Sequence, residues 1–217
     1  MKKGFVELVF ILDRSGSMSG LETDTIGGFN AMINSQKTID GECRVTTVLF
    51  DDRIELLHDR IDLKGISKLT EKEYYVRGST ALLDAIGATI NKIVSVQRNT
   101  SDEERAEKVL FVITTDGYEN ASREYSYGKV KAMIEKERDK YGWEFLFLGA
   151  NIDALETAAK FGISKDRAAD YHADGQGTRV TYQAMDQAVR TIRENKEMSK
   201  DWKKIVDEDF KGRKKKS

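Results

Sequence analysis

From Phe5 to Leu12 the chain reads "FVELVFIL", apolar at nearly every position, and the run stops at Asp13. A run of that length and character predicts a strand covered on both faces. The period then changes. Over residues 21 to 37, Ile26, Phe29, Met32 and Ile33 fall on one helical face. "CRVTTVLF" (43–50) and "RIELLHDRI" (53–61) flank "DD", which is hairpin chemistry and makes the second run an antiparallel edge strand. Leu83, Ile86, Ile90 and Ile93 mark a helix over 82–97, and "KVLFVIT" (108–114) is another fully covered strand. A helix over 123–140, carrying Val130, Met133 and Ile134, leads into the strand "WEFLFLG" (143–149). "DALE" at 153–156 has the form of a capped helix start, a short strand lies near "AADYHA", and the final helices occupy 178–211. Such alternation predicts an α/β fold, a mostly parallel sheet with helices on both faces.

Composition changes this picture little. The 217 residues show no composition break or linker, which suits one domain. Lys plus Arg number 36 against 37 Asp plus Glu, so no global basic field gathers nucleic acid or an anionic membrane. The local exception, "KGRKKKS" at residues 211–217, reads as a solvated tail. The single cysteine, Cys43, lies in a strand-like run where a small buried residue is expected; it can form no internal disulfide and suggests a reducing compartment. No apolar stretch approaches the roughly 20 residues of a membrane span. The first apolar run has strand length and no small-residue cleavage site. The expectation is a cytoplasmic protein.

In parallel sheets of this kind, ligands bind outside the carboxyl ends of the strands, where the strand order reverses. Three polar junctions fall there. "DRSGSMSG" offers Asp13, Ser15 and Ser17; "TTDGYEN" offers Asp116; "RGSTALLDAI" offers Ser79 and Thr80 at the start of a helix. The set is oxygen-only, without histidine, thiol or lysine, and hard divalent cations such as Mg²⁺ prefer such donors. In a locally extended loop, residues two apart point the same way, so Asp13, Ser15 and Ser17 can face one ion. A turn is the alternative, since Asp, Ser and Gly favour turns without any ion. Enzyme readings fit less well. A haloacid-dehalogenase-like phosphatase needs an acid where Ser15 stands, G-x-S-x-G fails at Met18, and no phosphate-cradling glycine loop occurs. A Mg²⁺-dependent phosphohydrolase on a related sheet remains the second reading.

Taken in order, D-x-S-x-S in "DRSGSMS", the threonine of "RGSTALLDA" and the aspartate of "TTDGYEN" resemble the metal-ion-dependent adhesion site of von Willebrand factor A domains. The similarity spans roughly residues 4 to 195 and is nearest to small intracellular bacterial or phage members. It implies a doubly wound sheet with one antiparallel edge strand. It divides the chain into a domain over 1–198 and a C-terminal extension with a basic tail over 199–217. It further implies a bound Mg²⁺ or Mn²⁺ whose open position takes an Asp or Glu from a protein partner. In that scheme Ser15, Ser17 and Thr80 are hydroxyl ligands, and Asp13 and Asp116 act largely through water.

Other residues carry blander expectations. His58 and His172 are structural, "FDD" at 50–52 is a hairpin tip rather than a second metal site, and Arg77 forms an internal salt bridge. Tyr118 and Glu119 sit where a ligand-facing rim would be. Asn30, Asn34 and Asn91 read as helix surface.

Overall fold

The computed structural model describes residues 1–214. Six strands form one sheet: β1 (Lys2–Asp13), β2 (Cys43–Phe50), β3 (Ile54–Asp62), β4 (Ala106–Thr115), β5 (Glu144–Gly149) and β6 (Ala168–Asp170). Their order is β3-β2-β1-β4-β5-β6, and all neighbours pair in parallel except β2 with β3. The helices are α1 (Glu22–Gln36), α2 (Leu82–Asn99), α3 (Tyr127–Tyr141), α4 (Ala154–Lys160), α5 (Gly175–Arg193) and α6 (Lys204–Lys214).

Strand alternation divides the core into two layers. Leu8, Phe10 and Leu12 of β1 face one way, toward Phe29 and Met32 of α1 and Met185 and Val189 of α5. Val9 and Ile11 face the other way, toward Ile86 and Ile90 of α2 and Val130 and Ile134 of α3. Because both faces are covered, β1 and β4 are apolar at consecutive positions, which is why they read as continuous hydrophobic runs. The chain leaves β1 toward β2 and leaves β4 toward β5, so the order reverses between these two central strands. Leu12 pairs with Thr114, which brings Asp13 level with Thr115 at the mouth of that crevice.

Several expected boundaries move. Residues 123–126 are loop rather than the first turn of α3: Asp84 of α2 accepts hydrogen bonds from the amides of Arg123, Glu124 and Tyr125, and Ser126 caps the helix that follows. The expected helices over 178–211 begin at Gly175, capped by Asp174, and break after Arg193, where Asn195 takes a φ of 58°. A 3-10 turn at Lys200–Lys203 then leads into α6. This segment packs on α5 and β6; Trp202 Nε1 donates to Asp166 O at 2.8 Å, and His172 Nε2 donates to Phe210 O at 3.1 Å. The expected solvated tail over 211–217 is not all tail: residues 211–214 end α6, where Arg213 pairs with Asp174 and Asp209, and residues 215–217 lie outside the described residues.

Asn30 is not a free surface residue. Its side chain exchanges two hydrogen bonds with the backbone of Leu69, each 2.8 Å, and so pins the loop after β3. Asn34 and Asn91 are exposed. On the edge strand β3 the register with β2 slips twice, and Arg60 adopts a φ of 52° while its Nε reaches Glu7 Oε2 at 2.9 Å. Among the described residues no helix is long and apolar enough to cross a membrane.

Candidate metal centre

Asp13 ends β1 with no exposed surface. Both of its carboxylate oxygens are engaged: Oδ1 accepts from the Ser15 amide at 2.7 Å and Oδ2 from Thr115 Oγ1 at 2.6 Å. Its carbonyl accepts from the Tyr74 hydroxyl at 2.5 Å. Beyond it, residues 16–18 form a 3-10 turn rather than the extended loop expected, yet the Ser15 and Ser17 hydroxyls still meet at 3.0 Å. Ser15 itself stays extended, with ψ at 168°, and this aims its side chain before the turn begins.

The hydroxyls form a directed chain. Thr80 Oγ1 donates to Ser15 Oγ at 3.0 Å, and Ser17 Oγ donates to Asp116 Oδ1 at 2.5 Å. Since the single Ser17 proton is committed to Asp116, Ser15 is the donor in its contact with Ser17. Every proton thus points along the chain toward Asp116, leaving oxygen lone pairs free to face a cation. Asp116 Oδ2 is buried and has no hydrogen-bond partner. Next to it, a Cβ placed on Gly117 would lie 3.0 Å from Ser17 Oγ and 3.3 Å from Thr80 Oγ1, so the glycine keeps the space between the hydroxyls clear of side chain.

Electrostatics point in the same direction. Burial pushes the Asp116 carboxyl up to about 6, with the nearby Asp13 adding to the shift and the Ser17 hydrogen bond opposing it. Burial also raises Asp13, against hydrogen bonds from Ser15 and Thr115. The charge of Asp13 bears on Asp116, and among the described residues neither acid is ion-paired with a basic side chain. Arg14, buried between Asp13 and Ser15, turns away to Asp51 at 2.9 Å and Glu55 at 2.7 Å. Among the described residues no group of three or more His, Cys, Asp or Glu side chains is arranged to hold a metal. The donor set is instead two carboxylates and three hydroxyls, all hard oxygens, with one buried carboxylate oxygen unpartnered. These residues fit a small divalent cation.

All five residues singled out from the sequence, Asp13, Ser15, Ser17, Thr80 and Asp116, come together here. Ser79 is exposed beside them. Tyr118 stands out from the rim, 68% exposed. Glu119 does not join it: its carboxylate turns inward to the amides of Leu83, Ala121 and Ser122, so it braces the start of α2. Asn120 holds Thr80 from both sides, its Oδ1 accepting from the Thr80 amide at 2.9 Å and its amide donating to Thr80 O at 3.0 Å. Arg77 makes the internal salt bridge expected of it, 2.7 Å from Asp51 at the β2–β3 hairpin tip. His58 hydrogen-bonds Thr47 and stacks on Phe29, while His172 packs on Phe210; both lie outside the hydroxyl cluster. Sequence patterning missed Thr115, Tyr74 and Arg14 as supports of Asp13 and its loop. For Thr115 and Arg14 the available signal was their place at or next to strand ends on the same edge; Tyr74, in the loop before α2, carried none.

The sequence matches no protein-family model and no curated protein. Solved structures do match. The manganese-loaded TRAP protein of Plasmodium vivax superposes with a TM-score of 0.59 at 20% identity, over 83% of this chain and 73% of that one. A von Willebrand factor type A protein from Catenulispora acidiphila gives 0.59 at 14% identity, over 84% of this chain and 42% of that one. The chain has the von Willebrand factor A fold. Proximal thread matrix protein 1 from the mussel byssus, solved with zinc in its MIDAS motif, shares that fold with a TM-score of 0.57 at 14% identity, over 86% of this chain. The chain spans 46% of the mussel protein's length and 42% of the Catenulispora protein's.

Proposed function

We propose that this protein is a divalent-metal-dependent protein-binding module that captures a partner's Asp or Glu at a bound Mg²⁺ or Mn²⁺. Ser15, Ser17 and Thr80 supply neutral hydroxyls, and Asp13 and Asp116 supply negative charge. The observation that carries the reading is the buried, unpartnered Asp116 Oδ2 beside three converging hydroxyls. A buried carboxylate oxygen without a partner is costly, and a cation removes that cost. Two carboxylates among neutral donors leave such a cation short of negative charge, and a partner's carboxylate would make up the difference. The donor set contains no histidine, lysine or cysteine to serve as base or nucleophile, which favours binding over catalysis. Manganese in the Plasmodium protein and zinc in the mussel protein, on the same fold, support a divalent ion.

Titration of Mn²⁺ followed by electron paramagnetic resonance tests the metal: binding quenches the signal of the free hexaaqua ion at about one equivalent. A carboxylate-bearing peptide added to the loaded protein is then expected to bind, and to be released by EDTA. Unquenched Mn²⁺ at millimolar protein would refute the metal; a loaded site indifferent to carboxylates would refute the capture.

A further inference from the structure

Two of the three loops that carry the hydroxyls and acids are tied to the β2–β3 hairpin tip by a partly buried ionic cluster outside the donor set. Arg14 is wholly buried, and its Nε meets Asp51 Oδ2 at 2.9 Å, where Arg77 Nε also arrives at 2.7 Å. Asp51 Oδ1 accepts from the Arg53 amide at 2.8 Å, so the whole carboxylate is engaged. The remaining Arg14 donors reach Glu55 Oε2 and Glu73 O, and both guanidinium groups lie over the Tyr75 ring at 5.3 and 5.4 Å.

Backbone hydrogen bonds run alongside these side chains. The Arg77 amide donates to Arg14 O at 2.9 Å, the Gly16 amide to Gly78 O at 3.1 Å, and the Ala81 amide to Asp51 O at 2.8 Å. Gly78, with φ at 66°, is pressed so close to the hairpin tip that a Cβ there would collide with Asp52 Oδ1. The loop bearing Ser15 and Ser17, the hairpin tip and the loop bearing Thr80 are therefore bonded to one another through both backbone and side chains. Arg14 and Arg77 balance Asp51 and Glu55, so the cluster brings no net charge to the site; what it supplies is spacing.

We infer that the Arg14–Asp51–Arg77 cluster is a positioning device that sets the distance between the Ser15 and Ser17 hydroxyls and that of Thr80, and thereby the affinity for the cation. The inference rests on the metal reading above. Outer partners of metal ligands commonly matter roughly 10- to 100-fold in affinity.

Asp51→Asn is a poor test, since it leaves the buried Arg14 with only the half-exposed Glu55 as counter-ion and endangers the fold. Arg77→Gln is the deciding variant: Arg77 is partly exposed and the buried pair stays intact. Removing a positive charge near the site would by electrostatics alone strengthen Mn²⁺ binding. A positioning role predicts the opposite sign, a loss of roughly tenfold by the same resonance titration. Arg77→Lys, which keeps the charge and one donor, is expected to recover part of the loss. In EDTA, hydrogen exchange at the Gly16 amide is expected to quicken in Arg77→Gln while the melting temperature moves little. Equal or tighter Mn²⁺ binding by Arg77→Gln, with wild type binding normally, would overturn the positioning role alone. Wild-type protein that binds no Mn²⁺ would overturn the metal reading and this inference with it.

Discussion

Ser17 and Asp116, 99 residues apart in the chain, share a 2.5 Å hydrogen bond in which the serine donates and the carboxylate accepts. This contact closes the crevice between β1 and β4. It also engages one oxygen of Asp116 while leaving the other free, and that asymmetry makes the residue a sensitive probe of the site.

Asp116→Asn keeps the side-chain shape and removes the charge. We expect Mn²⁺ binding to fall beyond detection at micromolar protein while the metal-free protein melts at the same temperature or higher, since a buried, uncompensated carboxylate is removed. Calorimetric titration and thermal melts in EDTA check both halves. A large drop in the EDTA melting temperature would show that the acid holds the fold itself.

The same residue sets a pH dependence. The Asp116 carboxyl is raised from the usual 3.8 to about 6, so between these values the folded protein holds a proton that the unfolded chain has released. Stability from this group is full below about pH 4 and is lost as pH rises through about 6. In EDTA the melting temperature is therefore expected to carry a falling contribution over that window, absent in Asp116→Asn. Mn²⁺ competes with the proton, so its affinity should climb from pH 5 to 7 and then level off. An affinity flat across that range would contradict the assignment.

Thr80→Ala deletes a neutral hydroxyl and leaves both acids. Metal binding is expected to weaken by a smaller factor than in Asp116→Asn. The hydroxyl chain loses its first member, so Ser15 is no longer held from the Thr80 side. Parallel Mn²⁺ titrations of the two variants give the order directly, and Thr80→Ala weaker than Asp116→Asn would reverse it.

Tyr74→Phe addresses stability instead. The Tyr74 hydroxyl is buried and donates to the Asp13 carbonyl at 2.5 Å. Its loss leaves that carbonyl short of a partner and should cost about 1–2 kcal/mol in urea unfolding. An unchanged midpoint would mean that water replaces the hydroxyl at no cost.

Gly28 tests the layer beneath. A Cβ at this position would lie 2.3 Å from Tyr182 Cδ2, where α1 crosses α5. Gly28→Ala should therefore destabilise by about 1–3 kcal/mol through overpacking, despite alanine's better helix propensity. A stabilised protein would show that Tyr182 swings aside freely.

Hydrophobic periodicity made the sheet and its helices readable, because burial on both faces of β1 and β4 leaves an uninterrupted apolar run that few other structures produce. The five donor residues were readable for a related reason: each follows directly on a strand or precedes a helix at the same sheet edge. What failed were distant contacts that no motif marks. Nothing local marks Thr115 as the partner of Asp13 across 102 residues, or Asn30 as the anchor of Leu69 across 39. Glu119 looked like rim because its neighbour Tyr118 is rim; its inward turn depends on the free amides of Leu83, Ala121 and Ser122. The start of α3 was placed four residues early because Asp84, a residue of another helix, satisfies the amides that a first helical turn would otherwise leave open.

Both margins of the sheet are blunted. Along β3 the ladder slips twice and Arg60 sits in the left-handed region with its side chain drawn to Glu7; at the other margin β6 runs for three residues only, with α6 packed against it. The slipped ladder on one side and the three-residue strand on the other shorten the regular edge on which a foreign strand could template itself, the usual first step toward edge-to-edge aggregation and fibrils. A partner that binds by adding a strand would find little regular edge here to extend.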